Sequence, residues 1–229
     1  TYDKLGNMLQ MNNQGQWTRN YYYDSATNRL LRHESGNPVY SYDSHGNMLT
    51  MPGFTGMLWD YADRLKSPKQ TSNGRIYYSY DAGGNRVKKV IPKPGGYQDE
   101  WIYFGNFEIY RRNRSGTVMT EKLTHHIMDD TKRVALLETK TIDNGQTVTN
   151  PVTAVRYQYD NHLGSACLEL DDNAGIVSYE EYHPFGTTSY RAGRTSTEVS
   201  LKRYKYVSKE RDEETGLYYY GMRYYADWL

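Results

Sequence analysis

The words Tyr-Asp, two variable residues, then Gly-Asn occur three times in this chain: "YDKLGNML" from Tyr2, "YDSHGNML" from Tyr42 and "YDAGGNRV" from Tyr80. Two degenerate copies lie between them. In "YYYDSATNRLL" Asp24 and Asn28 keep the framework, and in "LWDYADRL" Trp59-Asp60 stands for Tyr-Asp. Successive starts fall roughly 20 residues apart, the range in which repeat architectures stack small supersecondary units. The aromatic run before Asp, as in "YSYD" at Tyr78–Asp81, alternates as a half-buried strand does. The Asp accepts a hydrogen bond from a backbone N–H two residues on and opens an Asx turn. Gly-Asn supplies residues that tolerate positive φ, and "MLTM" or "RVKKV" returns as a second strand.

Each repeat is therefore expected to be a strand, a tight turn and a strand. An isolated hairpin is marginal in water, so each unit needs neighbours. Side-by-side pairing makes a long antiparallel ribbon that must curl, close or be covered, because bare edges invite association. Open edges predict self-association of the chain, and a monodisperse monomer would count against that. The residues assigned to turn punctuation are Tyr2, Asp3, Gly6 and Asn7, Tyr42, Asp43, Gly46 and Asn47, then Tyr80, Asp81, Gly84 and Asn85.

A low apolar content fits such a ribbon. Hydrophobic residues are 37% of 229 and mean hydropathy is −0.90, but 25 tyrosines separate the chain from disordered sequences, which are poor in aromatics. Tyrosine buries a ring while its hydroxyl keeps a polar partner, which suits a thin sheet with two faces. The net charge of +1 offers no broad lure for nucleic acid or anionic lipid. The cluster "YRRNRSG", Tyr110–Gly116, reads as a solvated loop. The single cysteine, Cys167, excludes an internal disulfide and a cysteine-based zinc site, and its setting "SACLEL" marks it as a small core residue. No apolar run suggests membrane insertion, and "TYDKLGNM" is neither a signal peptide nor amphipathic. Starting inside a repeat, the chain reads as a piece of a longer polypeptide.

Beyond the repeats, "IPKPGGY", Ile91–Tyr97, is the clearest boundary signal. It divides repeats at 1–91 from divergent hairpins at 92–156, with a stricter block at 157–229. "KLTHHIMDDTKRVALLETKT" reads as a hairpin around Asp129-Asp130, and "TIDNGQTVTNP" as an exposed loop. Tyr159-Asp160 opens a further turn through Leu163-Gly164, and "DDNAG", Asp171–Gly175, makes the next reversal. Glu213–Gly216 form a turn, and "LYYYGMRYY" is an aromatic strand with Gly221 as a bulge. No segment has helical periodicity beyond about two turns.

These repeats, followed by "YDNHLGS…LELDDNAGIVSYEEYHPFGT…RYKYVSKERDEETGLYYYGMRYY", resemble the RHS/YD-repeat family and the RHS-associated core that closes its arrays. The wording "EEYHPFGTTSY" and "SKERDEETGLYYYGMRYYADWL" is similar to the C components of bacterial insecticidal toxin complexes and related polymorphic toxins. The resemblance runs essentially end to end. It implies hairpins winding into part of a hollow β-shell, with the core turning inward as its plug and a C-terminal toxin cargo enclosed. It implies an aspartyl self-cleavage motif beyond Leu229, so that this chain is not itself an enzyme. The implied partners are an upstream shell or B component and the cargo; the implied origin is the bacterial cytoplasm, with delivery as part of a larger toxin. No cofactor is implied. The alternative is a cell-surface YD-repeat module that recognises glycans or another cell.

Several residues invite sharper readings. Asp160, His162 and Ser165 are the residue types of a nucleophilic triad, but adjacent turn residues seldom converge and no nucleophile elbow surrounds them. His125 and His126 beside Asp129 and Asp130 resemble a metal set, yet neighbouring strand residues face opposite sides. "ELDDNAG" lacks the spacing of a calcium loop, and "DAGGN" does not lead into a helix as a phosphate loop does. Arg211 and Asp212 are either neighbours of a cleavage chamber or a paired structural turn, the structural role being favoured; Asp227 completes the candidates for a direct enzymatic role.

Overall fold

The computed structural model describes residues 1–13, 15–33, 40–72, 74–195 and 202–229. They form antiparallel strands and turns with two short 3-10 segments and, among the described residues, no α-helix. The chain divides into two compact units, Thr1–Arg75 and Ile76–Leu229. That division differs from the one at Ile91–Tyr97, where Pro94–Gly96 is a turn joining two paired strands.

In the first unit, β1 (Gln10–Asn13), β2 (Trp17–Tyr23) and β3 (Leu30–His33) form one sheet. β4 (Ser41–Tyr42) pairs β5 (Met48–Thr50), and β6 (Phe54–Trp59), β7 (Leu65–Gln70) and β8 (Gly74–Arg75) form a third. Its buried apolar side chains include Tyr21, Tyr40, Met51, Phe54, Met57 and Leu65.

The repeat motif closes a five-residue loop. The Asp43 N–H donates to the Asn47 carbonyl at 2.9 Å, and the Gly46 N–H donates back to the Asp43 carbonyl at 3.2 Å. Asp43 Oδ1 accepts the Asn47 N–H at 2.8 Å, and Oδ2 accepts the Asn47 side-chain amide at 3.0 Å. The same clamp holds Asp3 to Asn7 and, in the second unit, Asp81 to Asn85. Positive φ falls on the glycine alone, at 86° for Gly6, 93° for Gly46 and 84° for Gly84. Asn is therefore a clamp donor and not a second left-handed residue. In the degenerate copies Asp63 (φ 57°) takes the glycine's place, and Asn28 (φ 58°) is the left-handed residue of a loop one residue longer, closed from Asp24 to Arg29. Both polar side chains have a use, because Asn28 Oδ1 accepts from the Asn7 amide at 2.6 Å and Asp63 Oδ1 from the Asn47 amide at 2.7 Å. The degenerate turns thus accept in turn-to-turn pairs, and Asn28 also donates back to Asn7 Oδ1 at 3.4 Å.

Within the first unit the aromatic before Asp ties a repeat to the one before it. Tyr23 Oη donates to the Met8 carbonyl at 3.1 Å, Tyr42 Oη to Leu30 at 2.8 Å, and Trp59 Nε1 to Met48 at 2.8 Å. Trp59 can replace tyrosine because it keeps both a broad ring and a polar donor.

The second unit is built on one long meander. β9 (Tyr77–Tyr80), β10 (Arg86–Lys93), β11 (Tyr97–Phe104), β12 (Phe107–Arg114), β13 (Thr117–Asp129) and β14 (Lys132–Asp143) pair in sequence order. β15 (Gln146–Thr147) caps β14 as a short hairpin where a loop was expected. β16 (Thr153–Asp160), β17 (Ala166–Leu170), β18 (Ile176–Tyr182) and β19 (Thr188–Gly193) continue the sheet. β20 (Glu210–Asp212), β21 (Leu217–Tyr219) and β22 (Tyr224–Ala226) form a separate three-stranded sheet, called the strap below. Gly221 (φ 84°) lies in the reversal between β21 and β22, so the expected single strand with a bulge is a hairpin.

The long sheet curls. Tyr224 Oη lies 3.0 Å from Tyr80 Oη in β9, while the adjacent Tyr225 Oη donates to the Phe185 carbonyl after β18 at 2.7 Å. Laid flat, β9 and β18 would stand eight strand steps apart, roughly 38 Å at the usual spacing. Two neighbouring side chains reach both because the sheet bends around the strap.

Its two faces invert the usual pattern. Paired residues share a face, so Phe104, Phe107, His125, Leu137 and Val155 form one row, with Phe104 and Phe107 exposed. On the other face Lys89, Glu108, Thr124, His126, Gln158, Glu169 and Ser178 are all buried. Charge lies inside and apolar surface outside, which ordinary binary patterning forbids unless every buried charge is paired. This is how 37% hydrophobic residues suffice.

Gly84 isolates the cost of the turn backbone, since a Cβ there would meet nothing within 4 Å. Gly84→Ala is expected to destabilise the second unit by about 1–2 kcal/mol. Gly84→Asn is expected to cost less, because Asn tolerates left-handed backbone, as Asn28 does at φ 58°. Chemical denaturation of both variants checks this, and equal losses would contradict it.

Candidate functional site

The buried face gathers its charges beneath the strap. Arg86, first residue of β10, is 4% exposed and points its guanidinium at two carboxylates. Nη1 donates to Asp212 Oδ2 at 2.6 Å, and Nη2 to Glu210 Oε2 at 2.7 Å and Asp212 Oδ1 at 3.1 Å. The aromatic rings of Tyr78, Tyr103 and Tyr219 lie 4.4–5.2 Å from its central carbon. Lys89 Nζ adds Asp212 at 2.7 Å and Glu214 at 3.1 Å, and lies 4.5 Å from the Trp101 ring. Tyr78 Oη donates to Asp212 at 3.0 Å and Tyr103 Oη to Glu210 at 3.0 Å. Asp212 is 0% exposed, and two cations and one hydroxyl occupy its oxygens.

A second lobe begins at Glu210, which accepts from Arg203 Nη1 at 2.6 Å. Arg203 and the Tyr204 hydroxyl both bond Glu108, and His126 Nε2 lies 2.9 Å from the same carboxylate. Arg133 Nε donates to His126 Nδ1 at 2.7 Å, and its guanidinium sits 3.6 Å over the Tyr204 ring. Burial alone would push the Glu108 carboxyl up, but Arg203 and the adjacent His126 outweigh it and hold it at about 2. Burial also opposes ionisation of Glu210, yet Lys89, Arg86 and Arg203 hold its carboxyl well below the usual range. At Glu214 burial wins over Lys89, and its carboxyl is raised.

These directions set the pH response. The depressed Glu108 and Glu210 contribute stability that is fully present above their unfolded value near 4.5 and is lost as pH falls from there toward about 2. Raised Glu214 acts oppositely, its burial cost easing as pH falls through its folded value. The second unit is expected to keep its denaturation midpoint from pH 7 to pH 5 and lose it below about pH 4. A fall between pH 7 and pH 5 would contradict this assignment.

The strap, through Tyr218 and Tyr225, and Tyr206 just before it grip the turn between β18 and β19. "HPFGT" is another five-residue loop, with the His183 N–H donating to the Thr187 carbonyl at 2.8 Å and Gly186 at φ 94°. Tyr206 Oη donates to the Pro184 carbonyl at 2.7 Å, and the Tyr206 ring lies where a Gly186 Cβ would be, 2.6 Å away.

The residues singled out from the sequence are dispersed. Tyr2 is exposed and Tyr159 is 54% exposed. Asp160 lies in β16 near Lys132 at 3.7 Å; the clamp of that turn is Asn161, whose Oδ1 accepts the Ser165 N–H at 3.0 Å. The motif is anchored three residues before its glycine, which for Gly164 is Asn161. Ser165 Oγ is buried and accepts the Val207 N–H, so it does not face Asp160 or the exposed His162. His125 stacks on Phe107 at 4.1 Å while His126 enters the cluster, and Asp129 and Asp130 stay at an exposed turn. Cys167 is half-buried and outside the fully buried core, and partial burial pushes its thiol up. Arg211 and Asp212 point apart. Arg211 pairs Glu213 at 3.1 Å and lies 3.6 Å from Asp227, whose carboxyl burial raises despite Arg211. Among the described residues no group of three or more His, Cys, Asp or Glu side chains could hold a metal ion, and no helix is long and apolar enough to cross a membrane.

No family model matches the chain. It is 31% identical over 250 residues to toxin subunit YenC1 of Yersinia entomophaga, covering 93% of this chain and 25% of that one. It is 26% identical over 189 residues to the tRNA nuclease WapA of Bacillus subtilis, covering 81% of this chain and 7% of that one. Among solved structures, TcdB2–TccC3 superposes with a TM-score of 0.76 at 27% identity, covering 94% of this chain and 11% of that one. The Photorhabdus luminescens Tc holotoxin pore gives 0.71 at 26%, covering 93% and 11%. The chain thus spans a quarter of the length of the toxin subunits it matches.

Proposed function

The chain belongs to the RHS/YD-repeat family of toxin subunits, and from that premise we propose that it is a structural segment of a shell wall that encloses a toxin cargo until delivery. The observation that carries this reading is the long sheet bent around the strap, with its charges turned inward and paired. A sheet that curves over its own polar face is suited to being a wall. The residue types that invited an enzymatic reading are engaged elsewhere: Asp212 in ion pairs, Ser165 in a backbone contact, His126 with Glu108. On this reading the chain is non-catalytic, and the nuclease named for WapA acts outside the 7% of that protein that matches here.

The partners that fit are the remaining wall, either in the same polypeptide or in a B component, and the cargo itself. The structures matched pair TccC3 with TcdB2, which supports a partner of that kind. Self-cleavage at downstream aspartates would leave the cargo contained but no longer tethered.

Protease protection tests the reading. In protein made from the complete natural gene, the cargo segment is expected to resist digestion until denaturant opens the wall, then to be cut rapidly. A cargo segment digested natively as fast as in the opened state would overturn enclosure and favour the cell-surface alternative.

A further inference from the structure

We propose that the β9–β10 hairpin and the strap form one latch, in which Arg86 and Lys89 hold the strap down and displacement of the hairpin releases it. This rests on the geometry of the second unit and stands independently of the enclosing role.

Among the described residues, the cations within ion-pair distance of Asp212 are Arg86 and Lys89, both from β10. Glu214 meets Lys89, and Glu210 meets Arg86 as well as Arg203. The same hairpin supplies the Tyr78 hydroxyl to Asp212 and the Tyr80 hydroxyl to Tyr224, and the Arg86 N–H donates to Tyr219 Oη at 2.7 Å. Ion pairs and hydroxyl contacts thus join the strap to the sheet here, and most of them come from one hairpin.

That hairpin is at the end of the long sheet. β9 is four residues long and pairs β10 on one side, the arrangement from which strands peel most readily. If it leaves, Asp212 is a fully buried carboxylate without a counter-charge, a state that the interior does not tolerate. The strap must then lift and hydrate. Coupling is reciprocal, so lifting the strap strands Arg86 and Lys89 and loosens the hairpin. Arg203 and Tyr204, which border β20 through the Arg211 N–H to Arg203 carbonyl bond at 2.8 Å, are themselves anchored on Glu108 of β12 and mark where the release stops.

Hydrogen exchange read by mass spectrometry on the 229-residue chain tests this. Arg86→Met is expected to speed exchange in β9, β20, β21 and β22 together by about 100-fold, leaving β13 and β14 within about threefold. Asp212→Asn, made from the other side, is expected to loosen β9 and β10. If Arg86→Met does not fold, Arg86→Lys, which keeps the charge and loses the fork, is expected to give the same pattern in weaker form. Strap amides that keep their protection while β9 loosens, or an increase spread equally over β13 and β14, would overturn the latch.

Discussion

Asp212→Ala is expected to destabilise the second unit by about 3–5 kcal/mol, the usual cost of removing one partner from a buried ion pair. Asp212 has no exposed surface and accepts from Arg86, Lys89 and Tyr78. Its loss leaves two desolvated cations sharing Glu210 and a raised Glu214. For a unit of this size the melting temperature is expected to fall by roughly 10 °C. Lys140→Ala supplies the contrast: it and its partner Asp143 are both about half exposed, and its loss is expected to cost about 1 kcal/mol or less. Thermal melts of the two variants decide it. Equal losses would mean that the cluster contributes no more than an ordinary surface pair.

Gly186→Ala carries the second large expected effect, about 2–5 kcal/mol. Two costs add there. Backbone at φ 94° disfavours any L side chain, and a Cβ would lie 2.6 Å from Tyr206 Cδ1 and 2.9 Å from its Cγ. Tyr206 cannot retreat cheaply, because its hydroxyl is bonded to the Pro184 carbonyl and its ring packs near Tyr182 and Tyr218. A double-mutant cycle with Tyr206→Ala separates the terms. Removing the ring is expected to erase the steric part of the Gly186→Ala loss and leave a remainder like that of Gly84→Ala, where space is open. Purely additive losses would show that the ring does not set the requirement for glycine.

The turn motif made the all-β architecture legible in the sequence, because Asp, Gly and Asn each act within five residues of one another. It misplaced the clamp at Asp160 by one position, since "YD" drew attention away from the distance to Gly164 that the loop requires. It passed over "HPFGT" as a member of the series, because His183 and Thr187 keep the backbone loop without the side-chain signature. The strand expected through Gly221 became a hairpin for the same reason that the other glycines turn: φ there is positive.

The charge cluster was not legible. Arg86 and Asp212 are separated by 126 residues, and each stands in a polar stretch, "NRVKKV" or "KERDEETG", that reads locally as a solvated face or turn. Burial of such residues follows from curvature of the sheet, a property of all ten consecutive strands together and of no single segment. One local signal existed. Arg86 directly follows a repeat's clamp Asn, where Met8 and Met48 stand in the other strong copies, so a charge there breaks an apolar position.

Electron cryomicroscopy of the protein made from its complete natural gene tests the central claim most directly. The curled sheet from β9 to β19 is expected to continue into a closed wall, with the strap on its inner side and an enclosed volume holding density for the cargo. An open sheet with no enclosed volume, in a sample whose strap is docked as described, would contradict the shell reading.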